Sequence, residues 1–254
     1  MIINACAISD IGNVRENNED NYLLANEYVD GNSLKKTKLF GAKFLVCSVC
    51  DGMGGEYNGK AASKIAVSTI RKNTFLLKLG KFKESAIKKL YFKANRSVFR
   101  SNTNTKCTMG TTMTLLCINK GEYFASNVGD SRIYRYSQGI LTQLSNDHTR
   151  AQFLINAGLS VDINSSHNHV LTQYVGMDDN EMIIEPFITQ GSINENDIFM
   201  LCSDGLYDYI SNNDIVHVLS SNHKPDDAAQ LLVSLAKANG STDNITVILA
   251  SVRV

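Results

Sequence analysis

The sequence predicts an α+β fold in which antiparallel sheets are covered on the outside by helices. Strand-like apolar runs come in series, and the two firm helical patterns of the first half follow one another with no strand between them. The alternation of a βαβ architecture is therefore missing. Between residues 110 and 143 four short runs are separated by Asn-Lys-Gly, Gly-Asp and Ser-Gln-Gly, the turn chemistry of an antiparallel meander. A length of 254 residues with 43% hydrophobic content suits one domain with a sizeable core, read here as a single unit over 1–254.

Taken in order, INACAIS reads as the first strand and NYLLANEY as the second, joined by the polar turn DIGNVRENNED. DGNSLKKTKL is polar and reads as a loop or hairpin tip, and FLVCSVC is a continuous apolar run expected to be a buried strand. A helix is predicted over 60–74, with Ala62, Ile65, Ala66, Thr69 and Ile70 on one face, and a second over 83–100, with Ile87, Leu90, Tyr91, Ala94 and Val98. TTMTLLCIN, EYFASNV, RIYRYS and ILTQL form the meander. A helix follows over 147–156 and stops near Gly158, and residues 159–180 are polar and irregular, part of a flap placed at about 145–180. EMIIEPFIT and DIFMLCS are strands. Short helices lie over 206–209 and 213–219, a firm one over 226–238 ends at Gly240 with Ala228, Leu231, Leu232, Leu235 and Ala236 inward, and NITVILASV is the last strand.

Bulk properties narrow the function. Lys+Arg and Asp+Glu are equal at 25 each, so no overall field draws nucleic acid or anionic membrane. No apolar run reaches the length of a bilayer span, and MIINACAISD lacks the pattern of a signal peptide, which leads to the expectation of a soluble, cytoplasmic protein. The six cysteines lie mostly inside apolar runs and read as buried free thiols of a reducing compartment. Cys47 and Cys50 form a C-x-x-C, but within a strand an odd separation sends the two side chains to opposite faces, so neither a zinc site nor a redox pair is expected. From Arg71 to Arg100 ten Lys/Arg face one acid, Glu84. This reads as a solvated outer helix face, with a docking surface for acidic or phosphorylated partners as the sharper alternative.

The chemistry lies in the acids. Glu19 and Asp20 precede NYLLA, Asp51 closes FLVCSVC, Asp130 follows YFASNVG, Asp204 follows DIFMLCS, and Asp243 leads into the last strand. Six carboxylates at the ends of strands can gather at one edge of a sheet core, where they repel one another unless a counter-charge is present. For an all-oxygen set the natural counter-charge is one or more hard divalent cations. Arg15, shortly before Glu19 and Asp20, supplies a planar fork suited to phosphate oxygens. Gly52 after Asp51 lets the backbone approach a metal, with its carbonyl as a further ligand. A P-loop is excluded because no G-x-x-x-x-G-K-[ST] occurs. Gly129-Asp130 by itself is also an ordinary hairpin turn.

Taken together, the ordered motifs D-x-G-x-x-R-x-x-N-E-D, D-G-M-G-G-x-x-x-G-x-x-A-S, G-T-T (Gly110, Thr111, Thr112), G-D-S-R, S-D-G and D-N-I-T run from residue 9 to 251. They resemble the metal-dependent Ser/Thr protein phosphatases of type 2C, in their bacterial form. The resemblance implies a four-layer α/β/β/α sandwich, two antiparallel sheets face to face between helices. It implies two divalent cations, Mn²⁺ or Mg²⁺, bridged by Asp51 with the Gly52 carbonyl on one of them and Asp204 and Asp243 on the other. Glu19 and Asp20 match acids that hold metal-bound waters or a metal directly, and Asp130 matches the acid that with Asp204 holds a third, weaker metal. Arg15 matches the phosphate-binding arginine, and Asn244 orients its neighbours. The implied reaction is direct hydrolysis of phosphoserine and phosphothreonine by a metal-activated water, without a phosphoenzyme intermediate, with Arg15, Asp51 and Asp204 as the catalytic set. The implied partners are phosphorylated proteins, a Ser/Thr kinase and its targets among them, acted on by a monomer.

Two departures stand out. Where eukaryotic members commonly carry a histidine after the Asp-Gly, this chain has Met53, which cannot donate a proton, so the leaving group must be protonated from elsewhere. Where bacterial members often read H-P-x-R-x-x-L-T-R, this chain has Ser-Ser-His167-Asn-His169-Val-Leu-Thr-Gln173, without the arginines. None of His148, His167, His169, His217 and His223 is assigned to catalysis. A silent phosphoprotein-binding module is disfavoured because every metal acid is present. A metal-dependent nuclease is disfavoured by the neutral charge and the absence of an aromatic-rich nucleic-acid face.

Overall fold

The last strand, β13 (Ile245–Arg253), sends Val247 and Leu249 to one side and Ile248, Ala250 and Val252 to the other, and all five are buried. A strand apolar on both faces needs a packed layer on each. In the computed structural model, which describes residues 1–29, 35–54, 58–78, 84–105, 109–161, 170–221 and 224–253, those layers are a second sheet and a set of helices.

Around β13 lie β1 (Ile2–Asp10), β3 (Lys35–Ala42), β9 (Arg132–Ser137), β10 (Ile140–Gln143) and β12 (Ile198–Cys202), giving a six-stranded sheet in the order β10-β9-β12-β13-β1-β3. The facing sheet has five strands, β2 (Asn21–Leu23), β4 (Phe44–Cys50), β7 (Met113–Asn119), β8 (Glu122–Val128) and β11 (Phe187–Ser192), in the order β11-β8-β7-β4-β2. Every pairing in both is antiparallel. Their inner faces interdigitate through Ile3, Ala7, Leu45, Leu116, Phe199 and Ile248. Outside the five-stranded sheet lie α1 (Asn58–Asn73), the short α2 (Phe75–Lys78) and α3 (Glu84–Thr105), packed on Val46, Leu115 and Cys117. Outside the six-stranded sheet lie α5 (Asp204–Tyr207), α6 (Asn212–Ser221) and α7 (Pro225–Ala238), packed on Ile8, Met200 and Leu249. The four layers are helix, sheet, sheet, helix, as the sequence and its resemblance lead one to expect. Cys47 faces the inter-sheet core and Cys50 the helical side, as their spacing requires. Among the described residues no helix is long and apolar enough to cross a membrane.

Several elements differ from their prediction. Lys35–Ala42, of which residues 35–39 read as part of a loop, is a strand at the sheet edge: Thr37 turns inward while Lys36 and Lys38 point out, and lysines are what an exposed edge tolerates. Residues 30–34 of that loop lie outside the described residues. NYLLANEY stops as a strand at Leu23, because Ala25 and Asn26 adopt positive φ (52° and 67°) and fold Glu27 back on Leu24. The meander is divided between the sheets: β7 and β8 pair in one, β9 and β10 in the other. Gly129-Asp130 is therefore a crossing between layers, not a hairpin turn.

The helix read over 147–156 begins at Arg150 with Thr149 as its cap, whose Oγ1 accepts from the Gln152 N–H; this α4 (Arg150–Asn156) buries no side chain. The strand read from Glu181 begins at Phe187, and Met182 and Ile183 before it are exposed. On α7 Leu231 is 40% exposed, and Ala229 and Val233 take the inner positions beside Ala228, Leu232 and Ala236.

Candidate active site

Each acid is set by the element it ends. Asp51 leaves β4, and its backbone is fixed from β6 (Gly110–Thr111) and the residue after it. Its N–H donates to Thr112 Oγ1 at 2.9 Å, and its carbonyl accepts from the Thr112 N–H at 2.8 Å and the Thr111 hydroxyl at 2.8 Å. Gly52 opens β5 (Gly52–Met53), and a Cβ there would run into the backbone of Gly59 and Glu19, so only glycine lets these three segments close. The Glu19 carboxylate sits at the start of α1 and accepts from the backbone N–H groups of Gly59 and Lys60, which the helix dipole favours. Asp204 opens α5 directly behind β12.

Asn244 latches the two ends of the chain together at the cleft. Its Nδ2 donates to the carbonyls of Ile11 (2.9 Å) and Asn17 (3.0 Å), and its Oδ1 accepts from the Glu19 N–H (2.8 Å). Asn244→Ala removes all three bonds from a 4%-exposed residue. It is expected to cost about 2–4 kcal/mol, read as a lower urea midpoint at unchanged slope.

Glu19, Asp51, Asp130, Asp204 and Asp243 converge on one cleft of about 370 Å³ with Arg15, Gly52, Met53, Thr112, Leu171 and Asn244. Arg15 lies at its rim and donates from a guanidinium nitrogen to Asp243 Oδ2 at 2.6 Å. Burial comes first among the forces on these acids and mutual repulsion second. Burial and then the charges of Asp20, Asp204, Asp130 and Asp243 push Asp51 well above the ordinary carboxylate range. Burial and Asp204 raise Asp130 to about 7, and burial and Asp243 raise Asp204 to about 6, although a side-chain hydrogen bond with Asp51 works the other way. Glu19 moves up for the same first reason, opposed by Arg15.

A hard cation would relieve each of these strains. Two buried oxygens of the cleft acids, Glu19 Oε1 and Asp204 Oδ1, have no hydrogen-bond partner, and the anionic groups lining the cleft are all carboxylates. Among the described residues no group of three or more His, Cys, Asp or Glu side chains stands close enough together to hold a metal ion as it is placed. The arrangement is an open carboxylate cleft, with the arginine on Asp243.

Asp20 stands apart from the other five. It is 2% exposed and lies behind the cleft, where its Oδ2 accepts from Ser203 Oγ at 2.7 Å. Burial raises it to about 7, with Ser203 and Thr246 pulling down and Asp204 and Asp243 pushing up.

Sequence reasoning passed over the polar network behind the acids. Ser203 Oγ also accepts from the Thr246 N–H (3.0 Å), Thr246 Oγ1 is 2.8 Å from Ser9 Oγ, and Asn18 Nδ2 donates to Ser9 Oγ (2.9 Å). Ser131 Oγ meets Thr112 Oγ1 at 2.7 Å. Ser9, Asn18, Ser131, Ser203 and Thr246 are all fully buried. A polar residue inside an otherwise apolar strand was a signal for Ser9 and Thr246 alone, since Asn18, Ser131 and Ser203 lie in connections beside strands. Behind Asp130, the Tyr207 hydroxyl donates to its carbonyl (3.1 Å) while the Arg132 guanidinium stacks on the Tyr207 ring and grips Asp147.

His148 is structural: its Nδ1 accepts from the Gly129 N–H (3.2 Å), and burial lowers its pKa. His217 lies on α6, away from the cleft lining. His167, His169 and His223 lie outside the described residues, as do residues 55–57 of the glycine-rich motif, Cys107, and Lys81 and Lys83 of the basic stretch. Of the region read as a flap, Leu171 reaches the cleft wall. The stretch after it is tied down: Val175 pairs with Thr111, and Asn95 Oδ1 accepts from the N–H groups of Gly176 (2.7 Å) and Met177 (3.0 Å).

Comparison with known proteins adds the following. Residues 37–243 match the family model described as protein phosphatase 2C. The chain is 28% identical over 99% of its length to the serine/threonine protein phosphatase PstP of Mycobacterium tuberculosis, of which it spans 45%. It superposes on the crystal structure of the Mycobacterium tuberculosis serine/threonine phosphatase PstP/Ppp with a TM-score of 0.83 and 25% identity, covering 100% of both chains. It also superposes on a PstP catalytic domain in complex with two manganese ions, with a TM-score of 0.79, 26% identity, and 100% and 99% of the two chains covered.

Proposed function

Because the chain belongs to the protein phosphatase 2C family, we propose that it hydrolyses phosphoserine and phosphothreonine in proteins with the help of two divalent cations, reversing a Ser/Thr kinase in the cytoplasm. The observation that carries this reading is the convergence of five carboxylates and Arg15 in one cleft. Asp51, the Gly52 carbonyl, Asp204 and Asp243 are the groups that would hold Mn²⁺ or Mg²⁺, with Glu19 beside them in the cleft, Asp20 behind, and Asp130 with Asp204 for a third, weaker ion. Bound there, divalent cations would supply Lewis acidity and lower the pKa of water toward neutrality. Relatives that include a manganese complex, the unpartnered oxygens of Glu19 and Asp204, and the repulsion among the acids all support that assignment.

The remaining work belongs to the chain's own residues. Arg15, 52% exposed at its side chain, is a planar donor fork placed to bind phosphoryl oxygens and offset charge that builds on them. Thr111 and Thr112 hold the Asp51 backbone, and Asn244 holds Glu19, so the carboxylates need little reorganisation. Leu171 and Met53 form the apolar part of the wall; Met53 carries no transferable proton and contributes contact only. We read the segment at about 145–180 as the flap that borders substrate, since Leu171 belongs to it. The cytoplasmic assignment draws on the five described cysteines, all buried free thiols.

The test is phosphate release from a phosphothreonine peptide with Mn²⁺, with Mn²⁺ plus chelator, and with single-stranded DNA in place of the peptide. Release that needs Mn²⁺ and stops with chelator is expected, and the DNA stays intact. Peptide turnover that survives the chelator, or cleavage of the DNA alone, overturns the proposal.

A further inference from the structure

The basic stretch at 71–100 is left unused by the cleft, and its placement is specific. On the outer side of the helical layer, α1 and α3 leave a groove of about 470 Å³ lined by Lys72, Lys89, Phe92, Lys93, Arg96 and Arg100, together with Thr69, Asn73 and Ser97. Five of these carry positive charge and, among the described residues that line it, none carries negative charge. In a chain with 25 cations and 25 acids, such a concentration is local rather than a general surplus.

A second groove of about 450 Å³ continues along α1. It shares Thr69, Lys72 and Ser97 and adds Lys64 and Tyr28, so the trough is long and open. Its cations are partly oriented in advance. Asn73 Oδ1 accepts from Lys93 Nζ at 2.8 Å, and the Arg96 guanidinium lies 5.4 Å from the centre of the Phe92 ring, which is itself 43% exposed.

We propose that this trough is a docking surface for an extended acidic peptide segment of a protein partner, separate from the catalytic cleft. Carboxylate side chains spaced along an extended strand meet the lysines and arginines from α1 and α3, and Phe92 gives an apolar footing between them. Charge complementarity favours this occupant. A single exposed aromatic ring does not make the series of stacking platforms that single-stranded nucleic acid uses. Among the described lining residues the other ring, Tyr28, already faces Lys64 and Arg71. An anionic bilayer would require apolar side chains projecting beyond the charges.

The test uses the full chain in chelator-containing, low-salt buffer, which silences metal-dependent chemistry and makes the result independent of the phosphatase reading. Fluorescence anisotropy of a fluorescein-labelled Asp/Glu-rich dodecapeptide is compared with that of a labelled oligothymidylate and with sedimentation on phosphatidylserine vesicles. Saturable peptide binding is expected. It should weaken about tenfold or more in Lys72→Glu/Lys89→Glu and a few-fold in Phe92→Ala, and fall as salt is raised. Turnover of p-nitrophenyl phosphate with Mn²⁺ should be unchanged in both variants, whose substitutions are exposed on the helix surface. Absence of peptide binding, equal binding by the double variant, or tighter binding of the oligothymidylate or the vesicles overturns the proposal.

Discussion

Asp51→Asn and Asp204→Asn, made singly, are expected to lower manganese-dependent turnover by on the order of 10³-fold or more while leaving the metal-free protein as stable as before or more so. Both halves follow from the same geometry. Asp51 and Asp204 line one cleft with Asp130, Asp243 and Glu19, and burial with mutual repulsion holds both above the ordinary carboxylate range. Replacing either carboxylate by an amide of the same shape removes a buried charge and its repulsion, which stabilises the empty site. It also removes a ligand that a hard cation needs. Thermal melts with chelator and phosphate-release rates with Mn²⁺, measured on the same preparations, separate the two effects. A folded Asp204→Asn protein with normal turnover would rule out the assignment. A variant that lost activity only because it had unfolded would show itself in the melt.

The metal-free protein is further expected to lose stability as pH rises from about 5 to about 8, and added Mn²⁺ should restore more at the upper end than at the lower. Asp20 and Asp130 titrate near about 7 and Asp204 near about 6 in the folded chain, against an ordinary value of 3.8. A carboxyl whose folded pKa is raised binds its proton more tightly when folded. Its favourable contribution is complete below about 4 and disappears as pH passes the folded value. Three such groups titrating together amount to a loss on the order of a few kcal/mol, or about 5–10 °C in melting temperature for a chain of this size. Bound cations favour the ionised carboxylates and so reverse the slope. Melting curves at pH 5 and pH 8, with chelator and with Mn²⁺, check it. A metal-free protein that grows more stable toward pH 8 would show that these acids are already compensated within the fold.

Much of the layout was readable in advance because it rests on local patterns. The burial of FLVCSVC as a strand, the helical faces of α1 and α3, and the odd spacing of Cys47 and Cys50 each follow from residue pattern, and all three hold. The errors fall where partners distant in sequence decide. KKTKL has the polarity of a loop and becomes part of a strand because β1 offers it a free edge. RIYRYS reads as the next turn of a meander and crosses to the other sheet, because its free neighbours are β12 and β10. Leu231 fits the helical stripe of α7 but points outward, since the inner positions are taken by the smaller Ala229 and by Val233.

The acids at the ends of strands, the arginine before the first pair, and the metal-friendly composition of the site were written in residue identity and order alone, because strand ends and glycine turns are local properties. Which acids share one cavity was decided by the tertiary structure. Glu19, Asp51, Asp130, Asp204 and Asp243 meet in the cleft, while Asp20 sits behind it on Ser203. So was the support of that cavity by buried hydroxyls and by Asn244. Burial and the distance between charges set these properties, and both exist only once segments far apart in the chain, such as Glu19 and Asn244 at a separation of 225 positions, are brought into contact.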